Sequence, residues 1–134
     1  MSARTAGWSA NAAVLALTLY ICSLVDFSGT IARFNVMHSR EIAGTGQPAD
    51  IAYLCGLGPA ALPALDMLAA KIKANAKGWL PESSVYDCRQ SLELRHAARM
   101  GDWRAWTFRG YRLNQYLDDR DARALAAGVR QSMV

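Results

Sequence analysis

The hydrophobic pattern divides the chain into one uncharged apolar stretch and a longer remainder in which apolar residues recur at helical spacing. From Gly7 to Val25 no residue is charged, although Asn11, Thr18 and Ser23 weaken the hydropathy of the run WSANAAVLALTLYICSLV. The twenty residues from Trp8 to Phe27 would extend roughly 30 Å as a helix, the thickness of a bilayer's hydrocarbon core. A transmembrane helix over residues 8–27 is therefore expected, after a short flank at 1–7. Asp26 would cost about 2.5–3.5 kcal/mol at the bilayer centre, which predicts it at the interface with Phe27, and Trp8 at the opposite one. Ala12 and Ala16 stand one turn apart, a small-residue pair that lets a neighbouring helix approach closely. Other transmembrane helices are thus expected partners, from the same full-length protein or a second copy.

Other readings of this stretch fit less well. A secretory signal lacks an A-x-A-like cleavage site after the apolar run. A lipoprotein signal needs small residues before its cysteine, whereas Leu19, Tyr20 and Ile21 precede Cys22. A buried helix of a soluble protein is usually shorter.

Residues 28–49 read as an interfacial helix and a linker. Asp26 or Ser28 can cap a helix whose apolar residues Ile31, Phe34 and Val36 leave Arg33, His38 and Arg40 to headgroups or water. Asp26 and Arg33 are two turns apart and meet only loosely within one helix, and Asn35 is free to bond to backbone or to a partner. The stretch EIAGTGQPA carries two glycines and a proline, which break periodicity.

Residues 50–117 carry the pattern of a small helical domain. Asp50 caps a short helix ending near Cys55 and Gly56, and Gly58 and Pro59 turn the chain. Leu62, Leu65, Leu68 and Ile72 then repeat every three or four residues, predicting an amphipathic helix to about Lys77, closed by Gly78. Pro63 falls in its first turn, where a missing amide proton costs little. Lys71, Lys73 and Lys77 suit the negative end of the helix dipole. After Trp79 and Pro81, a further helix from about Ser83 to Met100 places Val85, Cys88 and Leu92 on one face, with Gly101 as its stop. Asp102 caps the next, in which Trp103, Trp106, Leu113 and Leu117 form the apolar face. Residues 118–134 read as a polar, Ala-rich tail, either disordered or a weak last helix. No strand run, internal repeat or low-complexity segment is present. The expected architecture is all-α: one N-terminal transmembrane helix, then a bundle of three to four helices.

Composition adds the charge asymmetry. The 134 residues hold one domain of modest size. Arg4, Arg33 and Arg40 cancel Asp26, Glu41 and Asp50 over residues 1–50, so the net charge of +4 lies entirely beyond them. Between Lys71 and Arg112 nine Lys or Arg face Glu82, Asp87, Glu93 and Asp102. A solvated helical face accounts for that excess; attraction of Arg104, Arg109 and Arg112 to anionic lipid headgroups is the functional alternative, at roughly 1 kcal/mol per basic residue near the surface. Nucleic acid is disfavoured, because Trp103 and Trp106 fall in core phase and not on a stacking face.

Catalytic chemistry finds little support. Cys55, Cys88 and His96 match no compact metal-ligand spacing. Cys55 and Cys88 can pair in a periplasmic domain or stay as free buried thiols in a cytoplasmic one. There is no Ser-His-Asp or Cys-His arrangement, and GTGQP lacks the strand and helix that a phosphate-cradling loop requires. No catalytic, cofactor-binding or metal-ligating residue is assigned.

DFSGTIARFNV, DIAYLCGLGPAALPAL and DWRAWTFRGYR, in that order, resemble the C-terminal end of bacterial multipass membrane proteins in the domain-of-unknown-function families 4153 and 4173. The resemblance runs from Trp8 to about Leu113 and rests on Ile31, Ala32, Arg33, Asn35 and Val36, then on Asp50, Tyr53 and Leu54. Ala60 and Ala61 depart from the pattern, which has an acidic residue after the Leu-Gly-Pro-like turn. The resemblance implies membrane residence and further membrane helices upstream, so that Met1 begins a fragment; it implies no chemistry.

The expected function is that of an integral protein of the inner membrane with a structural or interaction role. Two alternatives remain, a transporter or enzyme whose site lies in upstream helices, and a membrane-tethered basic binding module. Ala12, Ala16, Asp26, Arg33 and Asn35 are the candidate helix-packing or interface residues. Arg33 and Arg40 after the span, against Arg4 before it, favour a cytoplasmic C-terminal domain by the positive-inside rule.

Overall fold

The computed structural model of the chain describes residues 3–74 and 81–132. Among these are helices α1 (Ala3–Leu24), α2 (Phe27–Met37), α3 (Arg40–Ala43), α4 (Ile51–Gly56), α5 (Leu62–Ala74), α6 (Glu82–Met100) and α7 (Phe108–Ser132), with 3-10 turns at Pro59–Ala61 and Trp103–Ala105 and no strand. The all-α expectation holds for the described residues. The predicted stop at Lys77 and Gly78 and the bridge at Trp79 lie outside them.

The apolar stretch does not form one rod over residues 8–27. It breaks at Val25 and Asp26 because Asp26 acts as the N-cap of a new helix: its carboxylate Oδ1 accepts from Gly29 N at 3.0 Å, and its backbone carbonyl accepts from Thr30 Oγ1 at 2.8 Å. Such a cap takes a non-helical backbone, here φ −88° and ψ 83°. The consequence is a corner. Among the described residues no single helix is long and apolar enough to cross a membrane, whereas Ala10–Leu24 and Phe27–Met37 meet that test together, bent by 51°.

Helix α2 joins the domain through one narrow face. Of the predicted apolar set only Val36 is buried, together with Ala32, while Ile31 and Phe34 stay 42% and 61% exposed. The periodicity had favoured the larger side chains, but close approach to the Pro59–Ala61 turn selects small ones. A Cβ at Gly29 would stand 3.1 Å from the Ala60 carbonyl oxygen, so glycine there sets the spacing. Phe34 instead stacks on His38, ring centroids 4.1 Å apart.

The predicted linker is a short folded loop around α3. Gly44 ends α3 in the left-handed conformation, φ 77°, which glycine adopts without a Cβ penalty. Arg40 N donates to Gln47 O at 2.9 Å, and Glu41 Oε2 accepts from Ala49 N at 3.0 Å. Asp50 then caps α4, accepting from Tyr53 N at 2.9 Å.

The core forms where α4, α5 and α6 meet α2. Leu62, Leu65, Leu68 and Ile72 are all buried, as their spacing predicts, and so are Leu54, Val85, Cys88 and Leu92. A disulfide joins Cys55 of α4 to Cys88 of α6 with their Cα atoms 5.8 Å apart, ordinary spacing for such a bridge.

The second half departs further from expectation. Asp102 caps a 3-10 turn, accepting from Arg104 N at 2.9 Å, and Trp106 has extended backbone with ψ 129°, so α7 starts only at Phe108. That interruption takes Trp103 and Trp106 out of phase with Leu113 and Leu117. The tryptophans are 80% and 58% exposed, not core, whereas Leu113 and Leu117 do pack on the core. Nor does the helix stop at Leu117; α7 continues through the predicted tail to Ser132.

Candidate functional site

The α1–α2 corner and the start of α7 border a cavity of about 800 Å³ between them and α5. Its apolar wall comes from Leu24 and Val25 at the end of α1, Pro63, Ala64 and Met67 of α5, and Leu113 of α7. Its polar rim holds Asp26, Arg33, Arg109 and Arg112, three guanidinium groups against one carboxylate. The Asp26 carboxylate is already engaged as the α2 cap. Arg109 Nη1 donates to the Val25 carbonyl at 3.4 Å, one of the oxygens that the end of α1 leaves without a helical partner. Neither Arg33 nor Arg112 has an ion-pair partner among the described residues.

The fold thus brings together residues drawn from two separate expectations. Asp26 and Arg33, foreseen as helix-packing residues, and Arg109 and Arg112, foreseen as headgroup contacts, share one cavity. The rest do not join them. Ala12 and Ala16 are exposed on α1. Asn35 lines a second cavity of about 260 Å³ with His38, Asp50 and Tyr53. Arg104 lies over the Trp103 ring, 5.4 Å from its centroid, a cation–π contact at an exposed site.

A charged cluster that the hydropathy pattern did not single out lies behind this cavity. Asp66 of α5 pairs with Arg89 of α6 at 2.5 Å and with Arg120 of α7 at 3.4 Å, and Arg120 reaches Glu93 of α6 at 2.6 Å. Tyr116 Oη donates to Asp66 Oδ2 at 2.9 Å. Burial, then the hydrogen bond to Asp66 and its negative charge, push the Tyr116 hydroxyl up to about 12. Burial works against the Arg120 charge, but its bonds to Glu93 and Asp121 and the charge of Asp66 outweigh that and raise its pKa. The arrangement ties α7 to α5 and α6 through ion pairs, while Arg89 Nε is buried without a hydrogen-bond partner. One signal was available: Asp66 is the sole acidic residue of α5.

His96 is buried on α6, its Nε2 without a hydrogen-bond partner. Burial lowers its pKa, the Asn114 side chain raises it and Arg99 lowers it, with a net decrease. Among the described residues no three His, Cys, Asp or Glu side chains gather as metal ligands.

An uncovered apolar helix, turned at a capped corner into a disulfide-linked helical domain with arginines around the corner, defines the class of structure. Residues 3–68 match the family model described as a domain of unknown function, DUF4153, which supports that part of the resemblance read from the sequence. The matched stretch covers just under half of the chain. It includes Asp26, Arg33 and the α5 wall of the cavity, and it ends before Arg109 and Arg112 of α7. No curated protein and no solved structure matches the chain.

Proposed function

We propose that the chain is an integral membrane protein of the bacterial inner membrane, the C-terminal portion of a multipass protein related to families 4153 and 4173, with a structural or interaction role. One observation carries this reading. Every side chain from Ala10 to Val25 is exposed, including Val14, Leu15, Leu17, Leu19 and Ile21 at 52–64%, on a stretch without charge. Covering that many large aliphatic side chains is worth roughly 10 kcal/mol, and the domain itself covers none of them. Lipid, with neighbouring helices meeting Ala12 and Ala16, is the environment that does. The exposed Trp103 and Trp106 support it, since tryptophan favours the membrane–water interface.

Sidedness turns on two opposed features. The arginine count around the span favours a cytoplasmic domain by a margin of one residue. The Cys55–Cys88 disulfide favours an oxidising compartment and weighs more, because the arginine rule counts all spans of a protein and the bridge reports on this domain directly. We therefore take the domain to be extracytoplasmic, reversing the positive-inside expectation.

The test is extraction of native membranes with alkaline carbonate. The chain is expected to stay in the pellet and to leave it only with detergent; release by carbonate alone would sink the proposal. Thiol trapping of intact cells tests the side. Cys55 and Cys88 should resist a permeant maleimide until reductant is added, and labelling without reductant returns the domain to the cytoplasm.

A further inference from the structure

The geometry points to a binding site for the phosphate group of an anionic lipid headgroup in the cavity between the α1–α2 corner and α7, held by Arg33, Arg109 and Arg112. This rests on the membrane placement proposed above and gives it a ligand.

Charge comes first. Three guanidinium groups surround one opening, and the only carboxylate on its rim is spent on the Gly29 amide. Arg33 and Arg112 lack ion-pair partners among the described residues, and Arg109 makes one long bond to a backbone carbonyl. Guanidinium groups with unused donors match the oxygens of a phosphate in pairs, with more directional fit than an ammonium provides. The nearby Asp66 carboxylate does not compete for them, because its two oxygens face Arg89, Arg120 and Tyr116.

Depth comes second. The cavity opens where the uncharged helix ends: Leu24 and Val25 are part of its wall and Asp26 is on its rim. In a bilayer this is the level at which hydrocarbon gives way to headgroups. One side of the cavity is apolar, through Pro63, Met67 and Leu113, and the other basic, so the site is amphipathic in the sense of a lipid's glycerol and phosphate. Its volume of about 800 Å³ falls within the roughly 300–1,000 Å³ of small-molecule sites, room for more than a bare phosphate ion.

The elements come from distant parts of the chain. Arg33 sits on α2 within the family-matched stretch, and Arg109 and Arg112 sit on α7 outside it. A ligand bridging them would hold α7 to the corner, adding to the single Arg109–Val25 bond that spans the opening among the described residues.

The test uses the full chain in phosphatidylcholine nanodiscs, titrated by calorimetry with monomeric dihexanoyl-phosphatidylglycerol, dihexanoyl-phosphatidylcholine or inorganic phosphate. Saturable binding of the phosphatidylglycerol is expected, with no heat from the phosphatidylcholine. Each of Arg33→Ala and Arg112→Ala should weaken it about tenfold or more, from the loss of charge-assisted hydrogen bonds. Arg104→Ala, which removes a charge outside the cavity, should leave it unchanged. Equal weakening by Arg104→Ala would reduce the effect to general surface attraction and overturn the site. Inorganic phosphate binding as tightly as the lipid would assign the cavity to a soluble phosphate and overturn the lipid as its ligand, as would equal binding of both lipids. Carbonate extraction of the same variants separates the two proposals. Variants that stay in the membrane while losing lipid show a failed site in a membrane protein, whereas a wild-type chain that carbonate releases refutes the membrane placement itself.

Discussion

Arg109 and Val25 stand 84 positions apart in sequence and meet at 3.4 Å, guanidinium to backbone carbonyl, linking the first turn of α7 to the residue that follows α1. The bond is long and exposed, so its own contribution is small. Arg109→Met keeps the apolar stem and removes the donor, and it should cost no more than about 1 kcal/mol of thermal stability in detergent. A larger loss would mean that this contact anchors α7.

The Cys55–Cys88 bridge acts on a different scale. It closes a loop with a sequence separation of 33, and the chain-entropy relation gives about 3–4 kcal/mol for a loop of that size. Adding reductant, or the substitution Cys88→Ser, should lower the unfolding midpoint of the domain by many degrees. Equal denaturation curves with and without reductant would contradict this.

Asp66 is the hub through which α5 holds α6 and α7. Asp66→Asn should cost about 2 kcal/mol, less than the full penalty of breaking a buried pair because Arg89 and Arg120 remain partly accessible. Tyr116 reports on the same hub. Its pKa in the fold lies near 12 against an ordinary 10.0, so the native state keeps a proton that the unfolded chain releases. Its contribution is complete below pH 10 and is lost as pH rises toward 12. Spectrophotometric titration should show one tyrosine ionising later than the others, and Asp66→Asn should bring it down.

His96 predicts the opposite end of the pH range. Burial depresses its folded pKa below the ordinary 6.5, so the unfolded chain binds a proton that the native state refuses. Stability is unaffected above pH 6.5 and declines as pH falls below it. The charged and polar groups around it, Arg99 on its own helix and Asn114 on α7, set how steep that decline is. His96→Leu should flatten the dependence of the unfolding midpoint between pH 6.5 and 5; an unchanged slope would assign it to other groups.

The domain's core was legible in the sequence because periodicity alone determines which face of an amphipathic helix is buried. Leu62, Leu65, Leu68 and Ile72 needed nothing more, and the Asp26 and Asp50 caps are signals confined to four residues. What was not legible depends on breaks and on distance. Trp103 and Trp106 fit a helical phase that the extended backbone at Trp106 cancels. The corner at Asp26 is the same residue read twice, as the end of one helix and the cap of another, and hydropathy averages over both. The cavity joins Arg33 to Arg109 and Arg112 through tertiary packing, for which no local pattern exists.

The 51° bend between Ala10–Leu24 and Phe27–Met37 also bears on the surrounding lipid under the proposed membrane placement. Helix α1, Ala3–Leu24, extends about 33 Å along its axis, against roughly 30 Å of bilayer hydrocarbon, so the corner falls at the far edge of that layer. Past the corner, Phe27, Ile31 and Phe34 remain exposed on a helix that runs obliquely and not straight through. With the corner at headgroup level, that apolar face would lie along the interface beside the cavity, and α2 would rest on the bilayer as an amphipathic helix in place of crossing it.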